Sequence, residues 1–176
     1  VIIGTIPIVV VGLLLQETIR DDFRSLWIVG TTLIVLGIIL GICDRVGSKD
    51  RGERQIRLRD AILVGSAQTL ALVPGVSRSG ASISAGLLLG LDRAAAARFA
   101  FLLAIPAVLG AGFFEWPEAL SEESVYGTGP LVLATVIAFL VGYAVVAWLL
   151  RYLSWGSFAP FVIYRIALGA LTLVLL

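Results

Sequence analysis

Between Leu26 and Cys43 the chain runs 18 residues without a charge, and between Pro130 and Leu150 it runs another 21. At 1.5 Å of rise per helical residue, such runs match the roughly 30 Å hydrocarbon core of a bilayer. The rest of the composition agrees: 59% of residues are apolar and 14% are charged, against about 25% charged in a soluble domain. Mean hydropathy is +1.04. A soluble enzyme, a nucleic-acid-binding module and a disordered chain are excluded, and 176 residues leave room for about five or six spans. The 13 basic and 12 acidic side chains give a formal +1, so only the distribution of charge along the chain is informative. A single cysteine, Cys43, rules out an intrachain disulfide, and the absence of histidine removes the usual proton shuttle. No methionine is present and Val1 opens inside an apolar run, which leads us to expect a fragment that begins mid-protein.

Charge divides the chain into segments. Val1–Leu15 is apolar apart from Thr5 and Pro7, and Gln16 to Asp22 turns the chain into water. The second run, Leu26–Cys43, carries Gly37-x-x-x-Gly41, a spacing that lets two helix backbones approach closely. Residues 44–60 hold six basic and four acidic side chains in 17 positions and read as an exposed loop. Two short apolar runs follow, Ala61–Val73 and Ala81–Leu91, of 13 and 11 residues. At about 16 to 20 Å each, neither crosses a bilayer alone. Pro74 to Gly80 breaks the helix between them and leaves backbone groups that lipid cannot satisfy. One 31-residue crossing is the alternative, but a re-entrant hairpin with its broken tip in a cavity fits better. Three more spans are expected, at Ala94–Phe114 with Pro106 as a kink, Pro130–Leu150, and Phe158–Leu176. The fold expected is an all-α integral membrane protein with five transmembrane helices and one re-entrant helical hairpin. Gly86-x-x-x-Gly90 and the Ala94–Ala97 run read as close-packing surfaces.

If the hairpin returns to the side it left, one face receives Arg45, Lys49, Arg51, Arg54, Arg57, Arg59, Arg93 and Arg151. The other receives Arg20, Arg24 and the four glutamates of residues 115–129. The basic face is then cytoplasmic, and the tip points toward the outer side of the membrane.

The chemistry concentrates at that tip. Ser77, Arg78, Ser79, Gly80 and Ser82 bring hydroxyls, a guanidinium and the free N–H groups of a helix N-terminus together, which describes an anion site. An intramembrane arginine costs at least roughly 2.5 to 3.5 kcal/mol on insertion scales, and the chain offers no carboxylate between Asp60 and Asp92 to offset it. The planar fork of Arg78 suits phosphate oxygens. A purely structural pairing of Arg78 elsewhere is the competing reading. Gln68, six residues before Pro74, reads first as glue between the two arms of the hairpin, with a place in the site as its second reading. Arg165, seven residues into the last span, is a second site candidate, whereas Arg98 is near enough to its span end to snorkel. Glu17 reads as a solvated helix-end carboxylate, with a headgroup-level ligand as the sharper alternative.

The segment PGVSRSGASISAGLLLG, followed by RFAFLLAIPAVLGAG and the terminal FAPFVIYRIALGA, resembles the bacterial undecaprenyl-diphosphate phosphatase, or bacitracin-resistance, family. IPIVVVGLLL near the start is similar as well. The resemblance implies hydrolysis of undecaprenyl diphosphate to the monophosphate carrier used in cell-wall synthesis, in the bacterial plasma membrane with the site facing outward. It implies two inverted repeats, with residues 1–60 holding the last two helices of repeat one plus a cytoplasmic loop. Residues 61–176 would then be repeat two, a hairpin at 61–91 and three spans. Arg78 matches the arginine that grips the diphosphate, Ser77 and Ser79 match its flanking serines, and Ser82 stands where Ser or Thr occurs. The family's first hairpin carries a Glu-x-x-x-Glu motif followed by a PVSSTGH segment, a combination this chain lacks. The resemblance thus implies a divalent cation, Mg or Ca, whose ligands lie outside this chain, and an isolated fragment that is inactive. It leaves a homodimer open. Ser77 would act as nucleophile or as hydrogen-bond donor to phosphate, and the lack of a base here favours the donor.

Two readings from other classes compete. A secondary transporter or flippase for a lipid phosphate shares re-entrant helices and a midplane anion site. A structural membrane subunit predicts that Arg78 is dispensable. A type 2 phosphatidic acid phosphatase needs histidines, of which there are none.

Overall fold

In hydrocarbon an apolar run must close its backbone hydrogen bonds internally, and the helix is the local way to do so. The computed structural model describes residues 1–14, 25–119 and 128–176. Glu17, Arg20, Arg24 and the 120–127 part of the glutamate loop lie outside the described residues. Seven α-helices are described: α1 (Ile2–Leu14), α2 (Leu26–Val46), α3 (Leu58–Gln68), α4 (Arg78–Leu88), α5 (Arg93–Ala119), α6 (Thr128–Leu153) and α7 (Ala159–Val174). Short 3-10 turns stand at Glu53–Gln55 and Thr69–Leu72. Among the described residues no strand forms.

Three helices are long and apolar enough to cross a bilayer: Leu26–Val46, Arg93–Phe113 and Gly129–Leu153. The other two expected spans are shorter. At 13 and 16 residues, α1 and α7 cover about 20 and 24 Å. None of the apolar window of α6 is buried by protein, and Phe139 and Tyr143 stand about 70% exposed. Such a surface is stable only where lipid covers it.

Small residues set how closely the helices approach. A Cβ on Gly37 would sit 3.3 Å from the Cβ of Arg165, and one on Gly41 3.3 Å from Val162, so the glycine spacing read from sequence seats α2 on α7. Gly86 lies against Ala96, where an added Cβ would come within 3.1 Å of the alanine methyl. Ala95, Ala96 and Ala97 are buried accordingly. Gly90 packs closely as well, since an added Cβ would come within 2.8 Å of the Ser48 hydroxyl, and it also has a second role. Its φ of 85° makes it the left-handed residue that ends the hairpin.

The hairpin departs from its expected boundaries in ways that capping explains. Its first helix begins at Leu58, three residues before Ala61, because the Asp60 carboxylate accepts the Arg57 N–H at 2.8 Å. The second helix begins at Arg78 instead of Ala81, because Ser77 caps it. The α-helical part of the first arm closes at Gln68 and tightens into the 3-10 turn. One residue ties the two outer ends together. Arg51 donates to Asp60 Oδ2 at 2.5 Å and to the Leu89 carbonyl at 2.7 Å, and its backbone bridges Gly90 and Asp92. A single crossing by residues 61–91 is incompatible with that link.

The charged segment is less exposed than its composition suggests. Helix α2 continues past Cys43 to Val46, and Asp44 is buried, because Arg93 Nε donates to its Oδ1 at 2.5 Å and the Phe158 N–H to its Oδ2 at 3.1 Å. Burial alone would raise the Asp60 carboxyl. The Arg51 hydrogen bond, the Arg57 N–H and their charges outweigh it and hold the group below the usual carboxylate range. Arg98 reaches out of its helix to Glu53 at 2.5 Å, as its position near the span end predicts.

Candidate functional site

Pro74 and Gly75 form the hairpin tip, and α2 and α7 hold it from two sides. The Thr32 hydroxyl lies 2.8 Å from the Pro74 carbonyl, and Arg165 Nη2 donates to the Gly75 carbonyl at 3.1 Å. Gly75 has φ of 85°, and a Cβ there would run into the Val29 backbone and the Thr32 hydroxyl. Only glycine both turns the chain and lets it lie flat on α2. Thr32 lies twelve residues from Asp44 along α2, so the tip sits about 18 Å from the loop end of the molecule.

Ser77 is the N-cap of α4. Its Oγ accepts the Gly80 N–H at 3.1 Å and lies 3.2 Å from Ser79 Oγ, while its carbonyl accepts the Ala81 N–H at 2.9 Å. That leaves the N–H groups of Arg78 and Ser79 as donors with no acceptor among the described residues. Arg78 is half-buried at the first helical position, and no described residue pairs with its guanidinium. The helix start therefore presents positive charge and free donors with no described carboxylate paired to it.

The structure gathers some of the expected residues and separates others. Ser77, Ser79, Gly80 and Arg165 line one cavity of about 140 Å³, walled otherwise by apolar and aromatic side chains such as Phe101, Phe161 and Tyr164. Arg165 thus joins the tip as a brace whose Nε is buried without a partner. Arg78 is not among the walls of that cavity. Gln68 and Ser82 are fully buried and also stand apart from it. Gln68 does not make the hydrogen bond across the hairpin that its glue role requires. Both of its amide atoms and the Ser82 hydroxyl are unpartnered among the described residues. Buried polar groups left in that condition cost about 1 to 3 kcal/mol each, so Gln68 and Ser82 are polar exceptions in a mostly apolar hairpin interior.

Two contributors were not singled out from sequence. Thr32 was hidden in an apolar helix, where the Thr31-Thr32 pair was its only signal. Arg51 was one of six basic residues in a loop, and no spacing marked it as the clamp.

The donor set suits an anion. It holds a guanidinium, hydroxyls and N–H groups, and no cluster of three or more His, Cys, Asp or Glu side chains occurs among the described residues. These residues do not fit a divalent cation.

Fold and site together define a helical membrane protein whose hairpin carries a donor set suited to an anion. The chain belongs to the family described as bacitracin resistance protein BacA, whose pattern it matches over residues 1–171. It is 61% identical, over 99% of its length, to the undecaprenyl-diphosphatase of a Nocardioides species, covering 64% of that protein. Relatives of the same name from Mycolicibacterium gilvum and Renibacterium salmoninarum are 55% and 52% identical over the whole chain, which covers 65% and 64% of them. The chain thus spans just under two thirds of the length of these curated relatives.

Proposed function

We propose that this chain supplies the diphosphate-gripping part of an undecaprenyl-diphosphate phosphatase in the bacterial plasma membrane. The observation that carries the reading is Arg78 at the capped start of α4, with two free backbone N–H groups beside it and no described carboxylate to neutralise it. In the reaction, water attacks the terminal phosphorus. The bond to the bridging oxygen breaks, and inorganic phosphate and the prenyl monophosphate leave. Negative charge builds on the bridging and equatorial oxygens. A forked guanidinium and fixed N–H donors stabilise that charge most strongly in the transition state. The capping role of Ser77 directs a lone pair at the Gly80 N–H, and where Ser79 is the donor of the Ser77–Ser79 contact the Ser77 proton is free for a phosphate oxygen, which supports a donor over a nucleophile. Arg165 and Thr32 fix the tip that carries these groups.

We read the hairpin as re-entrant, entering from the face that carries the 44–60 loop, with the tip directed to the outer side. Residues 61–176 form the second repeat of an inverted pair, and groups that handle protons or a divalent cation come from outside this chain. The test compares the complete protein with residues 1–176 alone. The complete protein should release phosphate from farnesyl or undecaprenyl diphosphate, and the isolated chain should not. Release by the isolated chain would overturn the divided site. Lipid phosphate moving across liposomes with no hydrolysis would favour the transporter.

A further inference from the structure

A second cleft opens at the other end of the molecule, between the loop ends of α2 and α7. Its volume is about 590 Å³, within the roughly 300 to 1,000 Å³ of small-molecule sites. The floor is aliphatic, formed by Ile38 and Ile42 from α2 and by Ile163 and Ile166 from α7. The rim is cationic, with Arg45, Lys49 and Arg93 around one carboxylate, Asp44.

That carboxylate is already engaged on both oxygens, by Arg93 Nε and by the Phe158 N–H. Lys49 Nζ donates to the carbonyls of Asp44 and Gly47, which leaves one of its three protons. The two terminal nitrogens of Arg93 and the whole guanidinium of Arg45 have no acceptor among the described residues. Three cations against one anion leave the mouth at about +2. Of the helix ends at the cleft, the start of α5 is capped by the Asp92 carboxylate, and the N-terminal end of α7 offsets the C-terminal end of α2.

We propose that this cleft binds an anionic phospholipid of the adjacent leaflet, with the phosphate among Arg45, Lys49 and Arg93 and an acyl chain on the isoleucine floor. A free anion would use the rim and leave the floor idle. A zwitterionic lipid would bring its own cation to a mouth that already has an excess of them. Basic pockets between membrane helices at the cytoplasmic surface take acidic headgroups for this reason. The cleft is separated from the hairpin tip by about 18 Å along α2, and the proposal does not depend on which reaction occurs there.

The experiment uses the complete protein, purified and exchanged into nanodiscs of phosphatidylcholine with graded phosphatidylglycerol, then released for native mass spectrometry. Phosphatidylglycerol should be retained at about one per chain and preferred over phosphatidylcholine by roughly 10-fold or more, and Arg45→Gln should weaken retention about five-fold. Ile42→Trp fills the floor without altering charge and should do the same. It keeps the test open if the arginine variant fails to fold. Equal retention of the two lipids, or a preference unchanged in both variants, would overturn the proposal. Equimolar farnesyl phosphate displacing the bound lipid would overturn it too, in favour of a second prenyl-phosphate site.

Discussion

At the loop end of the molecule, three of the arginines each meet a carboxylate, Arg51 on Asp60, Arg93 on Asp44 and Arg98 on Glu53, whereas Arg45 at the cleft meets none among the described residues. At the hairpin tip, about 18 Å deeper along α2, Arg78 meets no described partner and Arg165 meets only a carbonyl. The side-chain chemistry is the same at both ends, but its completion differs. Paired charges lock the first arm of the hairpin and the first turns of α5 to the loop and to the end of α2, and each of these guanidiniums has a protein carboxylate. At the tip the fold braces the Pro74 and Gly75 carbonyls, and no described residue engages the Arg78 guanidinium or the N–H groups of Arg78 and Ser79. Among the described residues Arg78 has no counter-charge, and a half-buried guanidinium in that condition is costly to the fold alone.

The sharpest way to break this contrast is to make the same conservative change at both ends of the complete protein. Arg78→Lys keeps the charge but loses the fork, and turnover should fall by about 10² to 10³-fold, the scale of removing one preorganised transition-state donor. Arg98→Lys, in a pair about half exposed, should change stability by no more than about 1 kcal/mol and leave turnover near wild type. Phosphate-release kinetics and a melting curve on both variants decide the matter. Equal losses would mean that the tip arginine is structural as well.

Ser77→Ala should rank next. It removes the α4 cap, typically about 1 kcal/mol, together with one donor to phosphate, and its loss of activity should be smaller than that of Arg78→Ala. A loss as large as that of Arg78→Ala, with a trapped phosphoserine, would make Ser77 the nucleophile.

The chain break and capped helix start that carry these two residues are legible in the sequence, and the reason is local. Pro, Gly and Ser at 74–80 dictate a break and a capped helix start through short-range backbone chemistry, so both the turn and the anion-directed donors could be read from one window. The long apolar runs were legible for the same reason. What remained hidden depends on contacts far apart in sequence. Arg51 reaches residues 9 and 38 positions away, Arg93 reaches Asp44 across 49, and Phe158 reaches Asp44 across 114. No periodicity encodes such pairings. Gln68 illustrates the converse. Its burial suits an amide on an apolar arm, but the cross-arm hydrogen bond inferred for it is absent, because sequence spacing places a residue on an arm without fixing which atoms face it.

The loop end has its own test, through pH. The Asp60 carboxyl sits below its ordinary value in the folded chain, so its contribution is fully present above the unfolded pKa, about 3.9, and is lost as pH falls through the lower folded value. Asp60→Asn should therefore melt earlier than wild type at pH 7, and the gap should close as the pH is lowered below about 4. A gap independent of pH would show that Asp60 acts as a helix cap through shape and hydrogen bonding, with its charge immaterial.

Thr32→Val should give the smallest effect and the finest reading of how the tip is held. The Thr32 hydroxyl has one proton and three carbonyls within reach, those of Ile28, Val29 and Pro74 at 2.8, 3.1 and 2.8 Å. The two carbonyls of its own helix are already served by the helix ladder, whereas the Pro74 carbonyl sits at a turn where lipid offers nothing in return. Valine keeps the shape and removes the donor, so the loss is that of one partly buried hydrogen bond, about 1 kcal/mol. If the tip needs both braces to aim Arg78, that loss should appear in kcat, at about five-fold, with KM little changed, because the anion donors remain but point less well in the transition state. If Arg165 alone holds the tip, Thr32→Val will lower the melting temperature slightly and leave kcat untouched.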